Sequence, residues 1–223
     1  HRRSGAEKPA LRVHRVLVVC PASLKDRWRR EIEKLTPEEG LVVAGGRKRR
    51  QEIHSGNGPL FRITNHEAVL PDILAIRRWS PEFVILDEAQ RIRNFETKTH
   101  QALMSIMRSH SLVITGTPLE NQLEDQYSIV QFADGSLLTP LLAFAASHLN
   151  MSSDGRNRVL GYRNLEAVHE RRKPLVIRRR EAEVFDSPPA VTQNTYYLDL
   201  AAEQRQIHQR CLSALLPILN KRV

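Results

Sequence analysis

FVILDEAQ, residues 83–90, is the stretch on which the fold turns. Its four opening residues are apolar without alternation, as in a strand buried on both faces of a parallel sheet. Asp87 and Glu88 follow directly, so two carboxylates are expected at the strand's C-terminal end. Working outward, VLVVC at Val16–Cys20 has the same character. Ser23 is placed to cap a helix on which Leu24, Trp28, Ile32 and Leu35 recur at helical spacing. Short apolar runs at 41–44, 60–64 and 111–115 also read as strands, with helices at about 67–78 and 97–108. RKRR at 47–50 begins a short basic helix or loop and reads as solvated. Strands and helices alternating in this way predict an α/β fold whose parallel sheet is covered on both faces.

After residue 121 the rhythm changes. Residues 121–132, 140–149 and 164–173 read as helices and 152–161 as a polar loop, and nothing between 121 and 174 resembles a buried strand. Residues 175–200 look extended, broken by Pro188 and Pro189, and 201–223 turn helical again. We therefore expect an α/β domain over 1–133 and a helical appendage with a linker over 134–223. His1 to Gly5 reads as the last turn of a helix with a Gly stop, and no C-cap signal closes Lys221, Arg222 and Val223. The chain thus reads as an internal piece of a longer protein.

Of 223 residues, 41% are hydrophobic and 26% charged, enough apolar material for a core and against disorder. No apolar run approaches the roughly 20 residues of a membrane span. No secretory pattern opens the chain, so neither a membrane partner nor secretion is expected. With only Cys20 and Cys211, a disulfide scaffold and a cysteine zinc site are excluded, and a reducing compartment is expected. His66 and His100 lack metal-ligand spacing with other His or Cys. The formal net charge is +9, and Arg far outnumbers Lys. Guanidinium forks suit phosphate, which is compatible with a nucleic-acid partner; codon bias accounts for the excess equally well.

In open parallel sheets, ligands bind beyond the carboxyl ends of the strands. Four polar clusters fall there: Pro21-Ala22-Ser23, Thr64-Asn65-His66, Asp87-Glu88-Ala89-Gln90 and Thr115-Gly116-Thr117. An Asp–Glu pair after an apolar run is what a nucleotide hydrolase uses: the Asp is a hard oxygen ligand for magnesium, and the Glu polarises the attacking water. Acidic residues also end strands for solubility, and Gly with Pro also serves ordinary turns. Order and spacing along one chain favour the functional reading.

That combination resembles the Swi/Snf-like (Snf-type) DNA-dependent ATPases within the superfamily-2 helicases. VLVVCPASLKDRWRREI (16–32) is similar to motif Ia, FRITNHEAVL (61–70) to the segment with motif Ib, and FVILDEAQRIRN (83–94) to motif II. LVITGTPLENQLEDQYSIVQF (112–132) is similar to motif III, and PLVIRRREAEV (174–184) to the Arg-rich segment that brackets the family's helical insertion. The resemblance implies a RecA-like lobe over 1–133 and the insertion with a linker over 134–223. It implies that Asp87 holds the nucleotide's magnesium ion and Glu88 positions the water. Gln90, where many relatives have His, would couple with Thr115, Gly116 and Thr117 between nucleotide and DNA. Ser23, Thr64, Asn65, Asn94 and Arg179 would meet double-stranded DNA, chiefly its phosphates, as a translocase or remodeller of nucleoprotein requires. Trp28 and Trp79 read as packing groups.

Departures matter too. No G-x-x-x-x-G-K-S/T phosphate loop occurs, and Gly45-Gly46-Arg47-Lys48 lacks its spacing. The resemblance places that loop upstream and the second lobe, with its arginine finger, downstream. ATP and magnesium are therefore expected as cofactors of a full-length protein, with no turnover and no bound cofactor in this portion alone. Its sheet should lack the phosphate-loop strand and expose apolar strand edges. A different class of reading, a non-enzymatic nucleic-acid or interaction module on a degenerate scaffold, is disfavoured by the retained Asp87, Glu88, Thr115 and Thr117; RNA as the substrate stays open. The expected protein is a monomer, cytoplasmic and nucleoid-associated in a bacterium, nuclear in a eukaryote.

Overall fold

The computed structural model describes residues 12–116, 123–152, 158–179, 194–196 and 198–219. Val16–Cys20 (β1), Gly40–Val42 (β2), Phe61–Asn65 (β3), Phe83–Asp87 (β4) and His110–Ile114 (β5) form one sheet in the order β2-β3-β1-β4-β5. Every pairing in it is parallel. The register sets Cys20 opposite Asn65 and Asp87 opposite Ile114, so the C-terminal ends of adjacent strands share one rim. The RecA-like α/β architecture expected from the sequence is the one observed.

The apolar runs lack alternation because both faces are covered. Leu17 and Val19 of β1 join Val84 and Leu86 of β4 in one core, closed by His66–Trp79 (α3), Lys98–Met104 (α4) and Leu123–Ala133 (α5). Val16, Val18 and Cys20 point the other way and meet Ile63, Ile85 and Ile32 of Lys25–Leu35 (α1). Residues two apart on a strand share a face, so five consecutive apolar residues need two cores.

Four expectations need correction. Residues 47–50 open a full helix, Arg47–Ser55 (α2), and Arg50 is no solvated residue: its guanidinium holds the fully buried Asp72 of α3 at 2.6 and 3.1 Å. The helix expected to reach 108 ends at Met104. A hairpin of Leu149–Met151 (β6) and Val159–Tyr162 (β7) lies where no strand was expected. Ser23 lies inside a 3-10 turn, Ala22–Leu24, and makes no cap hydrogen bond to α1.

The sheet has no internal gap. Its edge strands are β2 and β5, and no described strand pairs with the outer side of either. On β5, Leu112 and Ile114 share one face and are 45% and 38% exposed, an uncovered apolar face on an edge strand.

The chain divides into two compact units, His1–Val176 and Ile177–Val223, so the break falls within the segment expected as insertion and linker. In the first unit α5 contributes Phe132 to the sheet core. Its Tyr127 and Val130 join Phe144 of Leu141–His148 (α6) and Val168 of Leu165–Arg172 (α7) in a second, smaller core. One helix serving two cores is the physical reason no break occurs near 133. The second unit holds Ala202–Leu219 (α8), and the side chains described in it are exposed.

Candidate functional site

β4 carries Asp87 to the rim, where its carboxylate is half-buried. One oxygen accepts the Glu88 backbone N–H at 2.9 Å, and the other accepts the indole N–H of Trp28 at 2.8 Å. Glu88 stands in the left-handed region, φ 51° and ψ 52°. A non-glycine residue there costs on the order of 1–3 kcal/mol, strain of a kind that clusters at functional sites.

Gln90 then joins two strand ends. Its amide nitrogen donates to Glu88 Oε2 at 2.5 Å, and its amide oxygen accepts the Thr115 hydroxyl at 2.8 Å. A neutral primary amide carries donor and acceptor at one tip, so it meets a carboxylate and a hydroxyl at once without any tautomer choice. The chain Thr115–Gln90–Glu88 therefore bridges the ends of β4 and β5.

Around this relay the surroundings are polar on one side and sealed on the other. Asn65 donates to Glu67 at 2.7 Å, and Arg91 pairs with the same carboxylate at 3.0 Å. The Asn65 hydrogen bond, above all, holds Glu67 below the usual carboxylate range. Thr64 is fully buried and its hydroxyl has no hydrogen-bond partner, so the DNA-phosphate contact expected of it is not available in this arrangement. The buried His66 imidazole is held below its ordinary value by desolvation. Burial, reinforced by the Asp87 charge, pushes the Cys20 thiol up to about 12.

Among the other expected DNA-facing residues, Ser23 and Asn94 are exposed and Asn65 is half-buried. Asn94 Oδ1 accepts the Glu96 N–H at 2.9 Å, a turn that leads into α4. Arg179 is exposed and belongs to the second compact unit. Gly116 is exposed, and an added Cβ would meet nothing within 4 Å, so packing does not demand glycine there. Thr117 and Arg180 lie outside the described residues.

Two contributors escaped the sequence reading: Trp28, assigned to packing, and the Glu67–Arg91 pair. A half-buried Trp whose indole N–H needs an acceptor was the available signal, but its acceptor is known only once β4 lies beside β1. Among the described residues no group of three or more His, Cys, Asp or Glu could hold a metal. Asp87 alone still suits magnesium, which commonly takes one or two carboxylates and completes its shell with water and substrate phosphates.

The chain is 26% identical over 203 residues to "Chromodomain-helicase-DNA-binding protein 1-like" of Danio rerio, covering 88% of this chain and 19% of that protein. It is 26% identical over 210 residues to "SWI/SNF-related matrix-associated actin-dependent regulator of chromatin subfamily A member 1" of Homo sapiens, covering 92% and 20%. The chain thus spans a fifth or less of the length of these relatives. Among solved structures, the "Sulfolobus solfataricus SWI2/SNF2 ATPase core in complex with dsDNA" shares the fold with a TM-score of 0.61 at 23% identity, over 94% of this chain and 43% of that one. A family model described as the SNF2-related domain matches residues 4–222, and the chain belongs to that family, the Swi/Snf-like branch of the superfamily-2 helicases.

Proposed function

We propose that this chain is the nucleotide-hydrolysing rim and insertion of a double-stranded-DNA translocase that remodels nucleoprotein. The observation that carries the reading is the relay from Thr115 through Gln90 to Glu88, beside a carboxylate fixed by Trp28. Asp87 would hold magnesium, each of its oxygens keeping a lone pair beyond the hydrogen bond it accepts. Bound magnesium supplies Lewis-acid neutralisation of phosphate charge. Glu88, held by the Gln90 amide, orients the attacking water and takes its proton. Thr115 reports the state of that amide to the end of β5, next to Gly116 and Thr117. Ser23, Asn65, Asn94 and Arg179 meet the DNA backbone. The dsDNA complex of the Sulfolobus solfataricus core supports the choice of duplex DNA. The names of the relatives, which refer to chromatin, favour a chromatin-associated place over a bacterial nucleoid.

ATP binding of the kind proposed here uses a G-x-x-x-x-G-K-S/T phosphate loop, and the 223 residues contain none. Turnover therefore belongs to a longer chain that adds the loop and a second lobe. The test is DNA-stimulated phosphate release by the 223-residue chain and by such a longer chain. Turnover is expected only from the longer chain, and Glu88→Gln should remove it while nucleotide binding persists. DNA-stimulated turnover by the short chain, or full activity in Glu88→Gln, would overturn the assignment.

A further inference from the structure

At the opposite rim, where the strands begin, a cavity of about 610 Å³ opens between the starts of β1 and β3 and the C-terminal ends of α2 and α3. Its lining includes His14, Arg15, His54, Arg62, Arg78 and Trp79, and no carboxylate. Arg15 is already paired with Glu82 at 3.0 Å. Arg62 and His54 are each only 1% exposed although both line the cavity. The Arg62 guanidinium lies 4.2 Å from the centre of the Trp79 ring and donates to the carbonyls of His54 and Gly56. Its Nε–H has no partner, and neither ring nitrogen of His54 has one.

Two of the three unmet atoms are donors: the Arg62 Nε–H, on a guanidinium that has no acceptor, and one ring N–H of the neutral His54, whose other ring nitrogen is an acceptor. Buried donors left unmade are costly, and their complement is an oxygen-rich acceptor, favoured here by the unopposed charge of Arg62 with Arg78 at the mouth.

We propose that this cavity binds a phosphate-type oxyanion, seated between Arg62, Arg78 and the His54 ring. The oxyanion comes either from a free phosphate or from a nucleic-acid backbone. The site lies across the sheet from Asp87 and Glu88, so it is independent of the hydrolytic reading. His54 is its natural reporter. Burial first, then the charges of Arg62 and Arg50, hold the imidazole down to about 4, while Asp72 pulls the other way. An anion beside the ring offsets the two guanidinium charges and raises that value.

The probe is pyrophosphate titrated into the 223-residue chain, followed by the imidazole resonances of His54, which are assigned by their loss in His54→Gln. A saturable shift with a rise in the His54 titration midpoint is expected. Arg78→Ala should weaken the apparent affinity by about tenfold, the scale of one lost charge-assisted contact. Arg78 is exposed, so that variant should keep its fold. Duplex DNA added to the complex separates the sources: displacement of pyrophosphate from His54 identifies the nucleic-acid backbone, and no displacement identifies a free phosphate. If the His54 resonances respond to neither probe, or respond identically in Arg78→Ala, the site does not exist.

Discussion

Gln90 meets two different partners with one amide. One tip donates to Glu88 and accepts from Thr115, so a single side chain bridges β4 and β5. In the longer chain proposed above to hydrolyse ATP, Gln90→Ala and Thr115→Val should each lower kcat about 100-fold with little change in KM, because they misplace Glu88 without touching nucleotide. Steady-state kinetics with DNA present would check this, and a change confined to KM would count against it. Trp28→Phe, which keeps the packing and removes the N–H to Asp87, should instead raise the magnesium concentration needed for half-maximal rate. A second residue-scale expectation concerns the two thiols. Cys211 is exposed, whereas Cys20 is buried with its thiol pushed up to about 12. A disulfide reagent at pH 8 should titrate one thiol promptly and the other only after denaturation, since the thiolate is the reacting species. Two fast thiols would show that the end of β1 is not sealed.

Helices α2 and α3 are held together by a charge pair that neither helix's own pattern discloses. Asp72 has no exposed surface, and Arg50 grips it with two nitrogens while also donating to the Gly45 carbonyl. Removing one partner strands a buried charge, so Asp72→Ala should cost about 3–5 kcal/mol, while replacing both residues by apolar side chains of similar volume should cost far less. Urea unfolding of the single and double variants gives both numbers, and a loss below about 1 kcal/mol for Asp72→Ala would mean the pair behaves like a surface one. Arg50 also marks where sequence reading stops. Arg47, Lys48, Arg49 and Arg50 are alike as text, and only the approach of α3 decides which of them goes inside. The buried strands were legible because unbroken apolar runs admit little else, and Asp87, Glu88, Gln90 and Thr115 were legible because they end those runs. Hairpin β6–β7 was not, since its short strands are specified by pairing with each other and not by local pattern. Thr64 was misjudged for a related reason: it ends an expected strand at the functional rim, but the fold buries its side chain completely.

Across the whole molecule, the buried histidines set how the fold meets acid. His54, His66 and His100 are all held below their ordinary values, in each case chiefly by burial. The unfolded chain therefore takes up protons below about pH 6.5 that the folded chain refuses, and stability falls as the pH drops. The contribution of His54 is complete above its unfolded value near 6.5 and is lost progressively down to its folded value of about 4. That span corresponds to roughly 3 kcal/mol, a sizeable share of what a domain of this size has to spare. Glu67, held low by Asn65 and Arg91, works in the same direction, while Asp125, raised by its own burial, opposes it. Thermal unfolding in buffers without phosphate should show the melting temperature falling steadily from pH 7 to pH 5. His54→Gln should flatten that slope, because it removes the largest refused proton and leaves the others. A melting temperature indifferent to pH over this range would mean that His54 reaches solvent in the folded chain, and the cationic cavity it lines would then have to be open and hydrated at its base.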